Sequence, residues 1–216
     1  MRFFNLYADE GKRKKFAHGI ETDVGAPCET VNCSDCGRQW NKAREFSNLT
    51  IVLTNDNYPD FMRLSGTEKV LSLKAADILK MENVTGYCLK EMTTASPKNT
   101  PIDFQKLLRS AGENIKKMPE NPPKYFYWDI AGNAELHEQS GLEITNCSTC
   151  GYVDVVTPGY SYVKPDHPKI LDRNTWDGKD LFRLKHVSRY CCSERFYEIY
   201  HKHQLTGLEF REIPSM

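Results

Sequence analysis

Apolar positions recur along this chain with two different periods, and the periods predict its elements. Period two comes first. In residues 3–7, Phe3 and Tyr7 share one face of a strand and Phe4 and Leu6 the other. Residues 16–24 read as a second strand, weakened by Gly19. Residues 49–54 are β-branched and apolar, and the polar cluster at 55–60 ends them in a turn. Residues 125–130 form a strongly aromatic strand, and 152–156, 180–184, 187–191 and 208–213 complete the set. Helical spacing appears more rarely. Ser72 caps a helix carrying Leu73, Ala76 and Leu79. A second opens near Thr100, with Pro101 first, Asp103 in its first turn and Phe104, Leu107 and Leu108 as its stripe. Pro119, Pro122 and Pro123 stop it. Ser193 caps a third, with Phe196, Ile199, Tyr200 and His203 on one face and Gly207 closing it in the left-handed conformation. Residues 133–139 read as a short helix ended by Gly141, residues 96–100 as an exposed linker and residues 158–178 as a long loop or a string of turns. Strands and helices mix without strict alternation. The pattern therefore predicts an α+β fold, with a mixed or antiparallel sheet and a few helices, in place of a doubly wound one.

Composition narrows the class. The 216 residues suffice to bury a sizeable core, and an aromatic content of 11% argues against disorder. Lys plus Arg equals Asp plus Glu, 29 each, so no global charge draws the chain to nucleic acid or an anionic membrane. Residues 1–10 hold no apolar core, and the basic run at 12–15 follows them; a secretory signal has the opposite order. No apolar run approaches bilayer-spanning length. A cytoplasmic protein is expected, and there the eight cysteines suit metal ligands or buried thiols better than disulfides.

Four of those cysteines make a pattern. Cys33, Cys36 and Gly37 form one CxxCG, and Cys147, Cys150 and Gly151 form another; this doubling is the one internal repeat the reading finds. Two residues between cysteines make a turn that points both sulfurs at one ion, and the glycine accepts the left-handed backbone the turn needs. Two such turns supply four thiolates, which closes a tetrahedral structural Zn²⁺ site. A thioredoxin-like redox pair is the rival reading, although it calls for one CxxC and not two; independent thiols are a third. A shared site would staple the first fifth of the chain to a distant segment, so loss of a ligand is expected to harm folding first. Cys28 lies close enough to compete as a ligand but reads better as a loop thiol, Cys88 reads as core, and the neighbours Cys191 and Cys192 read as two reduced thiols facing opposite ways. The chain reads as one α+β domain, 1–216, in which 1–54 and 125–157 make a zinc-ribbon-like part and 158–216 a strand–helix–strand part.

No catalytic constellation stands out. The six histidines are scattered, His201 and His203 lack the spacing of a helical metal pair, and HExxH, GxSxG and phosphate-binding glycine loops are absent from the sequence. Glu135, His137 and Glu138 read as an exposed helix face, and the aromatic run at 125–128 as a core strand more than a base-stacking platform.

The motifs resemble a known family, the double-CxxCG motif proteins of bacteria. The resemblance is carried by the first cysteine turn with Trp40 after it, the second cysteine turn, the block Asp180, Leu181, Phe182, Arg183, and the ending Leu205, Thr206, Gly207, Leu208, Glu209, Phe210. Residues 54–124 show no match to it, and Cys28 is extra. The resemblance implies a cytoplasmic immunity protein: a stoichiometric inhibitor, not an enzyme, that binds a toxin delivered by a neighbouring cell. Its partner would meet a surface of ordinary size with a few aromatic anchors. The candidates are the turn at Tyr58 and Asp60, and the long loop with Tyr160, Tyr162, His167 and Trp176. The alternative class is a zinc-ribbon nucleic-acid or regulatory module, for which Arg38, Lys42 and Arg44 offer a small basic cluster interrupted by Asp35 and Glu45; an uncharacterised enzyme is the third.

Overall fold

A computed structural model describes residues 1–9, 11, 15–22, 29–41, 49–64, 67–95, 100, 102–110, 121–156, 169–187 and 190–216. In chain order the elements are β1 (Phe3–Ala8), β2 (Gly19–Glu21), β3 (Thr30–Asn32), β4 (Gln39–Asn41), β5 (Thr50–Leu53), β6 (Phe61–Leu64), β7 (Thr67–Ser72), α1 (Leu73–Met81), β8 (Tyr87–Glu91), β9 (Thr93–Ala95), α2 (Ile102–Ser110), β10 (Tyr125–Ile130), β11 (Gly132–Leu136), β12 (Glu143–Asn146), β13 (Val153–Val156), β14 (Leu171–Asp172), β15 (Leu181–Leu184), β16 (Tyr190–Ser193), α3 (Glu194–Lys202) and β17 (Leu208–Ile213). This is a mixed α+β fold, as the periodicity predicts.

Two sheets carry the core, in the orders β8-β10-β7-β6-β2-β5-β9 and β14-β11-β15-β16-β1-β17. Alternation decides what each strand buries. Phe4 and Leu6 of β1 and Trp128 and Ile130 of β10 enter one central cluster, which also takes Phe61, Leu181 and the inner faces of α1 and α3. The opposite faces go elsewhere: Tyr125 and Tyr127 pack with Ile51, Met62 and Val70, and Phe3 packs with Leu171, Phe182 and Cys191.

The two sheets are copies of each other. The order β5-β2-β6-β7-β10-β8 matches β14-β11-β15-β16-β1-β17 strand for strand. In both, the second and third strands run parallel and every other neighbouring pair runs antiparallel. The sequence follows. Asp60, Arg63 and Leu64 match Asp180, Arg183 and Leu184; Ser72 matches Ser193; Thr85 and Gly86 match Thr206 and Gly207; Glu29, Asn32, Cys33, Ser34, Cys36 and Gly37 match Glu143, Asn146, Cys147, Ser148, Cys150 and Gly151. The expectation of no repeat beyond the cysteine turns is thus corrected: the chain is a tandem duplication. Its copies are also entangled, because β1 lies in the sheet of the second copy and β10 in the sheet of the first.

A pair of buried carboxylates locks the copies together bond for bond. Asp180 Oδ2 accepts from the N–H and hydroxyl of Thr85, at 2.9 and 3.0 Å, and Oδ1 accepts from the Ser193 hydroxyl at 3.2 Å. Asp60 Oδ2 accepts from the N–H and hydroxyl of Thr206, at 3.0 and 3.1 Å, and Oδ1 from the Ser72 hydroxyl at 3.2 Å. Arg195 pairs with Asp180 as Lys74 pairs with Asp60. Each aspartate thus joins its own helix start to the Thr-Gly turn of the other copy. The glycines are needed there for space: a Cβ on Gly86 would stand 2.0 Å from the Leu181 carbonyl oxygen, and one on Gly207 1.8 Å from that of Phe61.

Several local expectations change for related reasons. Residues 133–136 are strand β11 and not helix, because Ala134 is buried between exposed Asn133 and Glu135 and pairs in parallel with Leu184; only Glu138–Ser140 makes a 3-10 turn, ended by Gly141 as expected. Among the described residues, the strand expected over 16–24 covers Gly19–Glu21 and the one expected over 187–191 covers Tyr190–Ser193. Ser72 caps α1 through its hydroxyl, but the Ser193 hydroxyl goes to Asp180 and caps nothing. The left-handed residue after α3 is Gln204, with Asn83 its match after α1; Gly207 serves the inter-copy contact instead. His203 is the C-cap of α3, half-buried against Glu82. Cys88 is exposed on β8 and not core, whereas Cys191 and Cys192 are buried thiols on opposite faces. Thr100 is buried rather than exposed, and residues 96–99 lie outside the described residues.

The lock yields two predictions. Asp180→Asn removes charge facing Arg195 and places an amide where donors converge, so it should cost about 3 kcal/mol in urea unfolding; a loss below about 1 kcal/mol would contradict the clamp. At the copy junction, hydrogen bonds from Lys202 and His203 hold the Glu82 carboxyl down at about 2, against an ordinary 4.5. A depressed folded value means stabilisation present above 4.5 and lost as the pH falls towards 2. Unfolding midpoints measured across that window should therefore fall more steeply in the wild type than in Glu82→Gln.

Candidate metal centre

Each cysteine turn is the tip of a hairpin. β3 pairs with β4 around Cys33 and Cys36, and β12 pairs with β13 around Cys147 and Cys150. The hairpins form two small sheets of their own, and none of their residues joins the hydrophobic core clusters. Sequence dictates the tips: Gly37 and Gly151 adopt φ of 67° and 70°, the left-handed conformation that a side chain disfavours. Nothing crowds the space a Cβ would take at either glycine, so the requirement is conformational. The N–H of Cys33 donates to the Arg38 carbonyl at 3.0 Å and that of Cys147 to the Tyr152 carbonyl at 2.9 Å, the same bond in each copy.

The two tips meet. Cys33 Sγ lies 3.8 Å from Cys147 Sγ, and Cys36 Sγ lies 3.8 Å from Cys150 Sγ. All four sulfurs fall within 4.8 Å of one another. Tetrahedral thiolates at about 2.3 Å from an ion stand about 3.8 Å apart, so the cluster has the size of a four-thiolate metal site. The four cysteines singled out in the sequence are those brought together, and the other described cysteines lie elsewhere; Cys28 is outside the described residues. Side chains brace the junction: Arg38 pairs with Asp154 and lies 4.9 Å over the Tyr152 ring, and the Thr149 hydroxyl donates to Asp35. The sulfurs do not share charge evenly. N–H bonds from Cys150 and Thr149 bring the Cys147 thiol down to about 7. Cys36 keeps a lowering N–H bond from Arg38, yet burial and its bonds to Cys33, Cys150 and Cys147 push it up to about 11. Four thiolates therefore need a cation to coexist, which a thiophilic metal supplies.

The residues expected at a partner surface are placed variously. Asp60 is buried and its carboxylate is engaged inside the fold. Tyr58 is half-buried against the cluster of Ile51 and Val70, and burial, then Asp56, raises its phenol. Trp176 is half-buried, 5.0 Å from the Phe3 ring, and donates from Nε1 to the Lys179 carbonyl at 2.9 Å. Tyr160, Tyr162 and His167 lie outside the described residues, as do Lys42, Arg44 and Glu45. Glu135 pairs with Lys185, and His137 starts the 3-10 turn. No helix among the described residues is long and apolar enough to cross a membrane. A scan against protein-family models and a search of curated proteins both return no match for this chain.

Elemental analysis of the purified protein should find about one four-thiolate metal ion per chain. Cys150→Ser should lose it. Because the aspartate lock holds the two copies independently of the hairpins, the urea midpoint of Cys150→Ser should fall less than that of Asp180→Asn, and the reverse order would make the metal the main tie.

Proposed function

We propose that this protein is a non-enzymatic inhibitor: an immunity protein that binds a bacterial toxin domain in the cytoplasm, with a structural Zn²⁺ on Cys33, Cys36, Cys147 and Cys150. The observation that carries the zinc is the closed donor set. Four thiolates fill a tetrahedral ion and leave no position for a water nucleophile, which is the chemistry of a structural centre. The family resemblance carries the rest. The residues it rests on do framework work in this fold: Asp180 is half of the lock, Thr206 and Gly207 meet Asp60 and Phe61, and the cysteines join the hairpins. A scaffold shared across a family of inhibitors, with partner recognition left to its surface loops, fits that division.

Partner recognition then falls to side chains not consumed by the framework. Among the candidates, Asp60 contributes through the fold, Tyr58 and Trp176 are half-buried against the core and keep part of their surface for a partner, and Tyr160 and Tyr162 lie outside the described residues. The nucleic-acid reading is the weaker one, since Arg38 is matched by Asp154.

Co-expression tests the proposal. The C-terminal domain encoded by the adjacent upstream gene should arrest growth alone, and this protein should restore growth and co-purify with that domain. A toxic domain that is neither neutralised nor bound would overturn the reading.

A further inference from the structure

The contacts between the copies are reciprocal. Asp180 holds Thr85 as Asp60 holds Thr206, so residue i meets j and its match meets i's match. That is the signature of an isologous, two-fold interface. Matched positions also meet each other, as they must on a two-fold axis: Cys33 with Cys147, Asp35 with Thr149, Cys36 with Cys150 and Glu82 with His203.

We propose that the junction is a dimer interface in its own right, fitted to a second unit of the same fold but unlike charge. The four-cysteine cluster, the exchanged strands β1 and β10, and the two aspartates make the shared surface. The axis selects the partner. Two first copies would set Glu82 against Glu82 and Asp35 against Asp35. Two second copies would leave Lys202 and His203 without a carboxylate, and either like pair would lose the Arg38–Asp154 contact, because the matches of Arg38 and Asp154 are Tyr152 and Trp40. Only the unlike pair matches the Glu82 carboxylate with the Lys202 ammonium and the Asp35 carboxylate with a hydroxyl. The peptide link between the copies is then dispensable for their association.

The test is to insert a protease site between Glu113 and Asn114, fold the full chain and cut it. The two fragments should stay together in size-exclusion chromatography and in native mass spectrometry, with the metal retained. Unfolded and refolded together, they should return as one-to-one unlike pairs, favoured roughly tenfold over like pairs by two axis contacts of ordinary strength. In the cut chain, Glu82→Lys should weaken the pair several-fold, and Lys202→Glu added to it should restore it. Fragments that part under native conditions, refold as separate monomers or pair like with like would overturn the proposal, as would a double variant worse than Glu82→Lys alone. The readout involves no toxin, so either this inference or the inhibitor reading can fail without the other.

Discussion

The structure depends on two buried carboxylates that each satisfy donors from both halves of the chain. Asp60 and Asp180 are 8% and 7% exposed, and a charge so buried is costly unless paired and hydrogen-bonded. Each is matched by one cation, one serine hydroxyl and the N–H and hydroxyl of a threonine from the other copy. Removing one donor leaves an unpaid charge in the interior, so neither copy's strand–helix corner is complete alone. The same demand brings the Thr-Gly turn against a strand backbone, where only glycine fits.

This lock changes what the cysteine cluster does. Read from sequence alone, a metal bridging Cys33 and Cys147 closes a loop of more than a hundred residues and removes much entropy from the unfolded chain. In the folded molecule the copies are already joined by exchanged strands and by the aspartates. The additional order a metal brings is then confined to two hairpins whose residues lie outside the core clusters. A metal there would organise the hairpin end of the molecule and leave the junction of the copies to the lock.

Much of the framework was legible. The aromatic run at 125–130 and the imperfect alternation at 208–213 give β10 and β17 at their observed bounds, the Ser72 cap places α1, and CxxCG spacing names all four clustered cysteines. The errors have physical causes. Residues 133–139 carry Glu135, His137 and Glu138, a polar pattern that suits a helix, and only the parallel partner β15 makes Gly132 and Ala134 inward strand positions. Cys88 sits in an apolar neighbourhood of the sequence, but β8 is an edge strand and turns it outward. The duplication stayed hidden because the copies share few and scattered residues, those with a geometric duty foremost: the aspartate, the serine at the helix start, the Thr-Gly turn and the pair of cysteines. Core positions are free to exchange apolar types, as Phe61 and Leu181 do, and so erase the resemblance while keeping the volume.

Departures from the symmetry are as informative as the symmetry itself. β10 reaches β11 through Ala131 alone, whereas β1 and β2 are separated by residues 9–18 with their basic run. The first sheet carries β9 and the neighbouring α2, where Val52, Phe104 and Leu108 make a small cluster without a match among the described residues of the second copy. Stability requires what the copies share, since each shared residue meets its duty twice. What one copy has alone falls outside that reciprocity. For the proposed inhibitor this is the physical reason to seek recognition in the unmatched segments: they can vary with the partner while the lock, the turns and the cysteine tips remain fixed.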